Sequence, residues 1–174
     1  MSKRKSLRAY QDSILEKMEA ARSSDVGQMQ LLFGFSAAGK NFLISGKDIL
    51  EMASPTKLEP MPVAKPWAVG AANVKGSVYS VTDFSALMGS ELIKAGKFLL
   101  LAPELMAGAA LRIESFNGLY ELKDLGSEIE DAGMKTQASF ITSYHEIAGE
   151  RHYLVDSARL AVDAKFSKLQ SGEI

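Results

Sequence analysis

The spacing of apolar residues changes from a helical period to a period of two near residue 28. Residues 6–22 repeat apolar side chains at helical spacing, which predicts an amphipathic N-terminal helix. From Gln28 the chain alternates apolar positions with others, as a half-buried strand does. The apolar positions are Leu7, Tyr10, Ile14 and Met18 with Leu15 in the helix, and Met29, Leu31, Phe33 and Phe35 in the strand. An isolated helix of this length is marginal in water, so we expect it to pack on its own domain, with a partner contact as the alternative.

Short apolar runs separated by turn residues predict further strands. Phe98–Leu101 is a continuous apolar run between Gly96 and Pro103, and its length suits a strand buried on both faces. A C-terminal helix is predicted from Ser157, which we expect to cap it. The other predicted elements are strands over 41–45, 49–57, 105–113, 119–122, 139–142 and 151–156, a short helix or turn over 84–92, and a loop over 124–133. Many short strands with frequent turns predict an all-β-dominated fold of the barrel or sandwich class.

Composition narrows the possible functions. The chain has 174 residues, 47% of them hydrophobic, which fits one globular domain or two small subdomains sharing a core. A net charge of -1 gives no overall field to attract nucleic acid or anionic lipid. The absence of cysteine excludes disulfides, thiolate catalysis and cysteine-ligated metals, and is compatible with a reducing cytoplasm. No window approaches the roughly 18 continuous apolar residues of a membrane span, so we expect a soluble protein.

Three sequence features could suggest nucleotide, metal or nucleic-acid binding, but the residues around each of them favour a structural explanation. Gly34–Lys40 nearly matches the phosphate-binding loop G-x-x-x-x-G-K-[ST], but Asn41 replaces the hydroxyl and a predicted strand follows, so we favour a hairpin over a nucleotide-binding enzyme. His145 and His152 could face each other across a hairpin, yet we expect surface or turn histidines, with no metal and no cofactor. The basic tract 3–5 leaves a nucleic-acid-binding β-barrel as a further alternative.

The segment 69–84 predicts a β-hairpin with a glycine-containing turn. It resembles the Gly-Val-Ile-Asn-Leu-Arg-Gly…Pro-Val-Ile-Asp-Leu signature of CheW-like domains, the adaptors that couple bacterial chemoreceptors to a histidine kinase. Gly70, Asn73, Gly76 and Asp83 fall on the Gly, Asn, Gly and Asp of that pattern, and Lys75 stands where the family usually has Arg. Upstream, the residues 48–52 resemble the family's Asp-Ile-x-x-Val-x-Glu-Ile segment.

The resemblance implies a fold. CheW-like domains consist of two packed five-stranded SH3-like β-barrel subdomains with a shared core, here with an N-terminal and a C-terminal helix. Residues 1–25 would form the N-terminal helix and linker, and residues 26–174 the CheW-like domain. The division between the two interleaved subdomains would fall near residues 88–97.

The resemblance also implies partners and site residues. A non-enzymatic, cytoplasmic adaptor would bind the regulatory domain of a CheA-type histidine kinase and the cytoplasmic tip of a methyl-accepting chemoreceptor. Lysine in place of arginine, an altered second half at residues 133–135 and the N-terminal helix resemble the PilI-like branch of type IV pilus twitching motility. The expected partner-binding residues are Ile49, Glu51, Met52, Asn73, Val74 and Lys75. Structural roles in the turn and its hydrogen bonding are expected for Gly70, Gly76 and Asp83.

Overall fold

The computed structural model describes residues 9, 11–17, 30–62 and 65–170. Residues 11–17 are helical and are called the N-terminal helical segment below. Its apolar residue Ile14 is 7% exposed and belongs to the main core cluster, so the predicted packing on its own domain is confirmed there. The other predicted stripe residues Leu7, Tyr10 and Met18, and the basic tract 3–5, lie outside the described residues.

The described part of the chain forms two six-stranded sheets. The strands are β1 Leu31–Ala37, β2 Lys40–Ser45, β3 Ile49–Ala53, β4 Leu58–Glu59, β5 Ala68–Val74, β6 Ser77–Asp83, β7 Lys97–Leu101, β8 Ala109–Ile113, β9 Ser115–Glu121, β10 Ile129–Glu130, β11 Ile141–Ile147 and β12 Glu150–Val155. Their orders are β10-β11-β12-β2-β1-β9 and β3-β7-β8-β6-β5-β4. The all-β-dominated class is confirmed. Each sheet has six strands rather than five when the two-residue strands β10 and β4 are counted.

The two sheets follow one plan. In each sheet a two-residue strand pairs with an antiparallel hairpin, the hairpin is followed by a parallel pairing, and two further antiparallel pairings complete the six strands. The orders are β4-β5-β6-β8-β7-β3 in one sheet and β10-β11-β12-β2-β1-β9 in the other. The N-terminal hairpin β1–β2 therefore completes the sheet of the C-terminal strands. Residues 88–97 connect β6 to β7 within one sheet, and the chain passes between sheets at 46–48 and at 114. The predicted division near 88–97 thus does not coincide with a sheet boundary.

Short helices connect the strands. They are Phe84–Leu87, Pro103–Met106, Ala132–Gln137, Ser157–Val162 and Ala164–Gln170, with 3-10 turns at Gly46–Asp48 and Leu122–Asp124. The predicted strand over 105–113 begins only at residue 109, because Pro103 opens a helical turn, a position that proline favours. The predicted cap at Ser157 was wrong: the Asp156 carboxylate accepts the hydrogen bond from the Arg159 amide, at 3.0 Å. The predicted loop over 124–133 also contains β10.

The main core lies between the sheets. Phe35, Phe42 and Phe84 meet at ring-centroid distances of 4.9–5.4 Å and join apolar residues of both sheets. A second cluster lies on the other face of the sheet that contains β7. Leu99 faces the main core and Phe98 the second cluster, and both are fully buried. The prediction of a strand buried on both faces is confirmed.

Three hairpins in the described part share one turn geometry. Their two-residue turns are Ala38–Gly39, Lys75–Gly76 and Ala148–Gly149, and both positions of each have positive φ. This is the type I′ pattern, whose twist matches that of paired strands. The near match to a phosphate-binding loop is therefore a hairpin, as predicted, since Gly34 lies inside β1 and Lys40 opens β2.

Candidate functional site

Two of the predicted partner-binding residues form an ion pair at a sheet edge. Glu51 lies in β3, which is the outer strand of its sheet in the described part of the chain. Lys75 is the first residue of the β5–β6 turn, and its Nζ donates to Glu51 Oε1. The Lys75 side chain is 73% exposed and that of Glu51 22%. Exposed pairs of this kind contribute about 0–1 kcal/mol, so either charge can exchange its partner at low cost.

The turn holds Lys75 in a defined orientation. Lys75 has a φ of 52° and Gly76 a φ of 88°, a region that glycine enters without steric cost. The Asn73 side chain accepts a hydrogen bond from the Gly76 amide at 3.0 Å. Asn73 was predicted as a partner contact, and its amide oxygen is used inside the turn. This hydrogen bond supports the backbone that carries Lys75, and the partner contact of the exposed Asn73 stays a prediction.

The remaining predicted contacts differ in accessibility. Ile49 is fully buried in the main core, so it does not reach the surface and its predicted partner role needs correction. Val74 is 7% exposed and packs in the second cluster, whereas Met52 is half-buried. Val78, which the sequence interpretation missed, lies opposite Asn73 and is 66% exposed. The sequence could have indicated it, because Val78 is a β-branched residue on the outward side of a strand, just after the turn.

A groove runs beside the ion pair. It has a volume of about 470 Å³ and is walled by β3, by the β5–β6 turn and by the N-terminal helical segment. Met52, Val74 and Phe33 give it an apolar floor, while Glu51, Lys75 and Lys97 line it with charge. On the other side, the helical segment contributes Gln11, Asp12, Ile14 and Leu15. We call this feature the helix groove.

Gly70 and Asp83, both assigned to the turn from sequence, lie away from it. Gly70 is inside β5 at a register shift, with a φ of 136°. A Cβ there would lie 2.5 Å from the Glu59 carbonyl oxygen, so the close approach of β4 requires glycine. The Asp83 carboxylate is fully buried and accepts from the Ala86 and Ile93 amides at 2.9 Å and from Arg112 Nε at 2.7 Å. Gly76 alone of the three occupies the turn.

The two histidines were wrongly expected at the surface or in a turn. His145 and His152 are directly paired across β11 and β12 and are 3% and 5% exposed. The strands extend further toward the turn than predicted, so the turn is only Ala148–Gly149. Among the described residues no group of three metal-ligating side chains occurs. No helix within the described ranges has the length and apolar character needed to cross a membrane.

The strand plan and the paired sheets define a CheW-like fold. The structure is similar to the crystal structure of the scaffolding protein TtCheW from Thermoanaerobacter tengcongensis, with a TM-score of 0.62 and 13% sequence identity. The match covers 75% of this chain and 86% of TtCheW. No family model matches the sequence, and no curated protein matches it. The predicted CheW-like fold is thereby confirmed.

Proposed function

We propose that this chain is a non-enzymatic chemosensory adaptor that couples a methyl-accepting chemoreceptor to a CheA-type histidine kinase. The observation that carries the proposal is the Glu51–Lys75 pair, which joins the two segments of the signature resemblance at an exposed corner of the fold. The CheW-like fold supports it, since the similar protein TtCheW is described as a scaffolding protein. The adaptor acts in the cytoplasm, through its partners.

The proposed contact combines charge with apolar surface. Lys75 and Glu51 offer one charge of each sign, the half-buried Met52 follows Glu51 in β3, and the exposed Val78 lies just after the turn that carries Lys75. Lysine is a point charge without the planar donor fork of arginine, so Lys75 binds a partner carboxylate through a single ammonium. Interfaces with an apolar centre and a charged rim hold partners by packing and select them by charge.

The finer assignment, to the PilI-like branch of twitching motility, is also part of the proposal. Three features support it. Lys75 replaces the usual arginine, and Gly133–Lys135, where the family has a Pro-x-Pro loop, lie in the helix Ala132–Gln137. The N-terminal helical segment is a third feature that flagellar adaptors are not expected to share.

A matched pair of variants tests the contact. Lys75→Asn removes the ammonium, and asparagine adopts the positive φ of the turn readily, so the hairpin is retained. The control is Lys123→Asn, because Lys123 pairs with Glu121 at 2.9 Å with similar exposures of 72% and 29%. That hydrogen bond to Glu121 raises the pKa of Lys123, so the control also removes a paired ammonium.

The purified chain is titrated calorimetrically with a kinase regulatory domain and, separately, with a receptor cytoplasmic fragment. We expect saturable binding, weakened about fivefold to thirtyfold by Lys75→Asn for at least one fragment, which corresponds to about 1–2 kcal/mol. Lys123→Asn should bind as the unsubstituted chain does. If the unsubstituted chain binds neither fragment, the adaptor function is overturned. An equal loss in both variants would overturn the role of Lys75.

A further inference from the structure

The N-terminal helical segment occupies the surface on which the proposed function depends. Ile14 is 7% exposed and reaches the main core cluster, so it anchors the segment. Gln11, Asp12 and Leu15 line the helix groove opposite Glu51, Met52 and Lys75. The segment and the proposed partner contact therefore share one groove.

The contact between the segment and the strands is incomplete. A groove of about 470 Å³ remains between them, whereas the interior of a folded domain leaves few voids larger than a water molecule. Ser13, Glu16 and Lys17 are exposed, and Leu15 is only half-buried. A short helix is not stable alone in water, so its helical state depends on docking and mainly on Ile14.

The charges of the segment complement those of the groove. The Asp12 carboxylate lines the groove together with the ammonium groups of Lys75 and Lys97. Asp12, two positions before the buried Ile14, therefore lies in the same groove as both lysines. A protein partner that uses Lys75 displaces the Glu51 carboxylate in a groove that already holds the carboxylate of Asp12.

We propose that the N-terminal helical segment is an intramolecular competitor for the partner-binding surface. In the docked state it forms one wall of the groove that Glu51, Met52 and Lys75 also line, and a partner binds fully only when the segment leaves. The inference rests on the proposed adaptor function for the partner, while the docking itself is independent of it. When the segment occupies the site, the apparent affinity for a partner equals the intrinsic affinity multiplied by the fraction of molecules in which the site is free.

Two aspartate substitutions in the full chain separate docking from charge. Ile14→Asp removes the apolar anchor, and Ser13→Asp adds the same charge at an exposed position of the same turn. Losing a buried isoleucine should shift the docking equilibrium by about tenfold or more. Hydrogen exchange measured by mass spectrometry should therefore accelerate by that factor in residues 11–17 and in β3 for Ile14→Asp, and stay unchanged for Ser13→Asp.

The same variants are titrated with the kinase regulatory domain and the receptor fragment. We expect Ile14→Asp to bind at least one fragment about fivefold more tightly or better, and Ser13→Asp to bind like the unsubstituted chain. Leu15→Ser, at the half-buried groove position, should shift affinity in the same direction by less, and it replaces Ile14→Asp if that variant does not fold.

The outcomes are distinct. Unchanged affinity despite faster exchange overturns the competition and leaves the adaptor function standing. Weaker binding overturns it too, because the segment would then belong to the partner surface. Unchanged exchange in every anchor variant that folds overturns the docking. Absence of binding in every variant overturns the adaptor function and the inference that rests on it.

Discussion

The strongest test of which interactions stabilise the fold is substitution of the buried Asp83. Its carboxylate is fully buried and accepts three hydrogen bonds, two from the Ala86 and Ile93 amides and one from the guanidinium of Arg112. Asp83→Asn changes one oxygen to an NH₂ group and removes the charge. The Ala86 amide binds Oδ1, whereas the Ile93 amide and Arg112 Nε share Oδ2. With its oxygen at the Oδ2 position, asparagine keeps those two bonds, leaves the Ala86 amide facing a donor and leaves Arg112 without a charged partner.

The expected cost follows from those contacts. Breaking a buried ion pair by removing one partner costs about 3–5 kcal/mol, and a buried donor left without an acceptor costs about 1–3 kcal/mol. The Arg112 side chain retains 16% exposure, so water relieves part of the loss. We expect a loss of about 3–4 kcal/mol, a large share of the roughly 5–15 kcal/mol typical of a folded domain. For a chain of this length it lowers the Tm by roughly 6–16 °C.

Urea unfolding followed by fluorescence measures the effect. Trp67 is the single tryptophan, and its carbonyl accepts from the Asp83 amide, so it reports on this region. The control is Asp156→Asn, the helix cap at the equivalent place in the other sheet, which binds the Arg159 amide at a more exposed position. Asparagine caps helices about as well as aspartate, so the control should lose under about 0.5 kcal/mol.

A double variant separates the charge from the hydrogen bonds. Adding Arg112→Met to Asp83→Asn removes the unpaired guanidinium while keeping the apolar stem, and it should recover about 1–2 kcal/mol. The reasoning is refuted if Asp83→Asn costs no more than Asp156→Asn. If the double variant is as unstable as the sum of the two single variants, the hydrogen bonds rather than the charge dominate.

Two further predictions concern a buried hydroxyl and a close backbone approach. Thr82 is 1% exposed and its hydroxyl has no hydrogen-bond partner within the described residues, so Thr82→Val should raise the free energy of unfolding by about 1 kcal/mol; a lower thermal midpoint would show that the hydroxyl has a partner after all. A Cβ at Gly96 would lie 2.1 Å from the Ile113 carbonyl oxygen, so Gly96→Ala should cost about 2–3 kcal/mol in urea unfolding. Its control is Gly126→Ala, where a Cβ meets nothing within 4 Å; equal effects of the two alanines would contradict the steric explanation.

The apolar period was sufficient to predict most strands. β2 and β7 match their predicted ranges within a residue, because alternating or continuous apolar runs between glycine and proline identify them. The helix cap was assigned one residue late, since Asp156 and Ser157 are both residues that favour a cap. Local sequence does not show which of two neighbouring capping residues faces the free amides.

The site was only partly predictable from the sequence, because the register between β3 and β7 changes within it. Glu51 was expected at the partner surface from the resemblance, and Ile49 because it lies close to that charge in the sequence. In an unbroken strand the two residues would point to the same face. The pairing of β3 with β7 shifts between these two residues, which leaves Ile49 fully buried and Glu51 partly exposed. A bulge of this kind depends on the neighbouring strand, so a single strand's residue pattern does not reveal it.

The repeated strand plan distinguishes the proposed site from the common fold. The β5–β6 and β11–β12 turns occupy equivalent places in the two sheets and share the same backbone geometry. The first carries Lys75 beside the helix groove, whereas the second carries Ala148. Fold similarity at 13% identity requires only the common plan and its apolar core. The charge at one turn, absent from its equivalent, is therefore a property of the site and not of the fold, which is why the adaptor hypothesis is tested at Lys75.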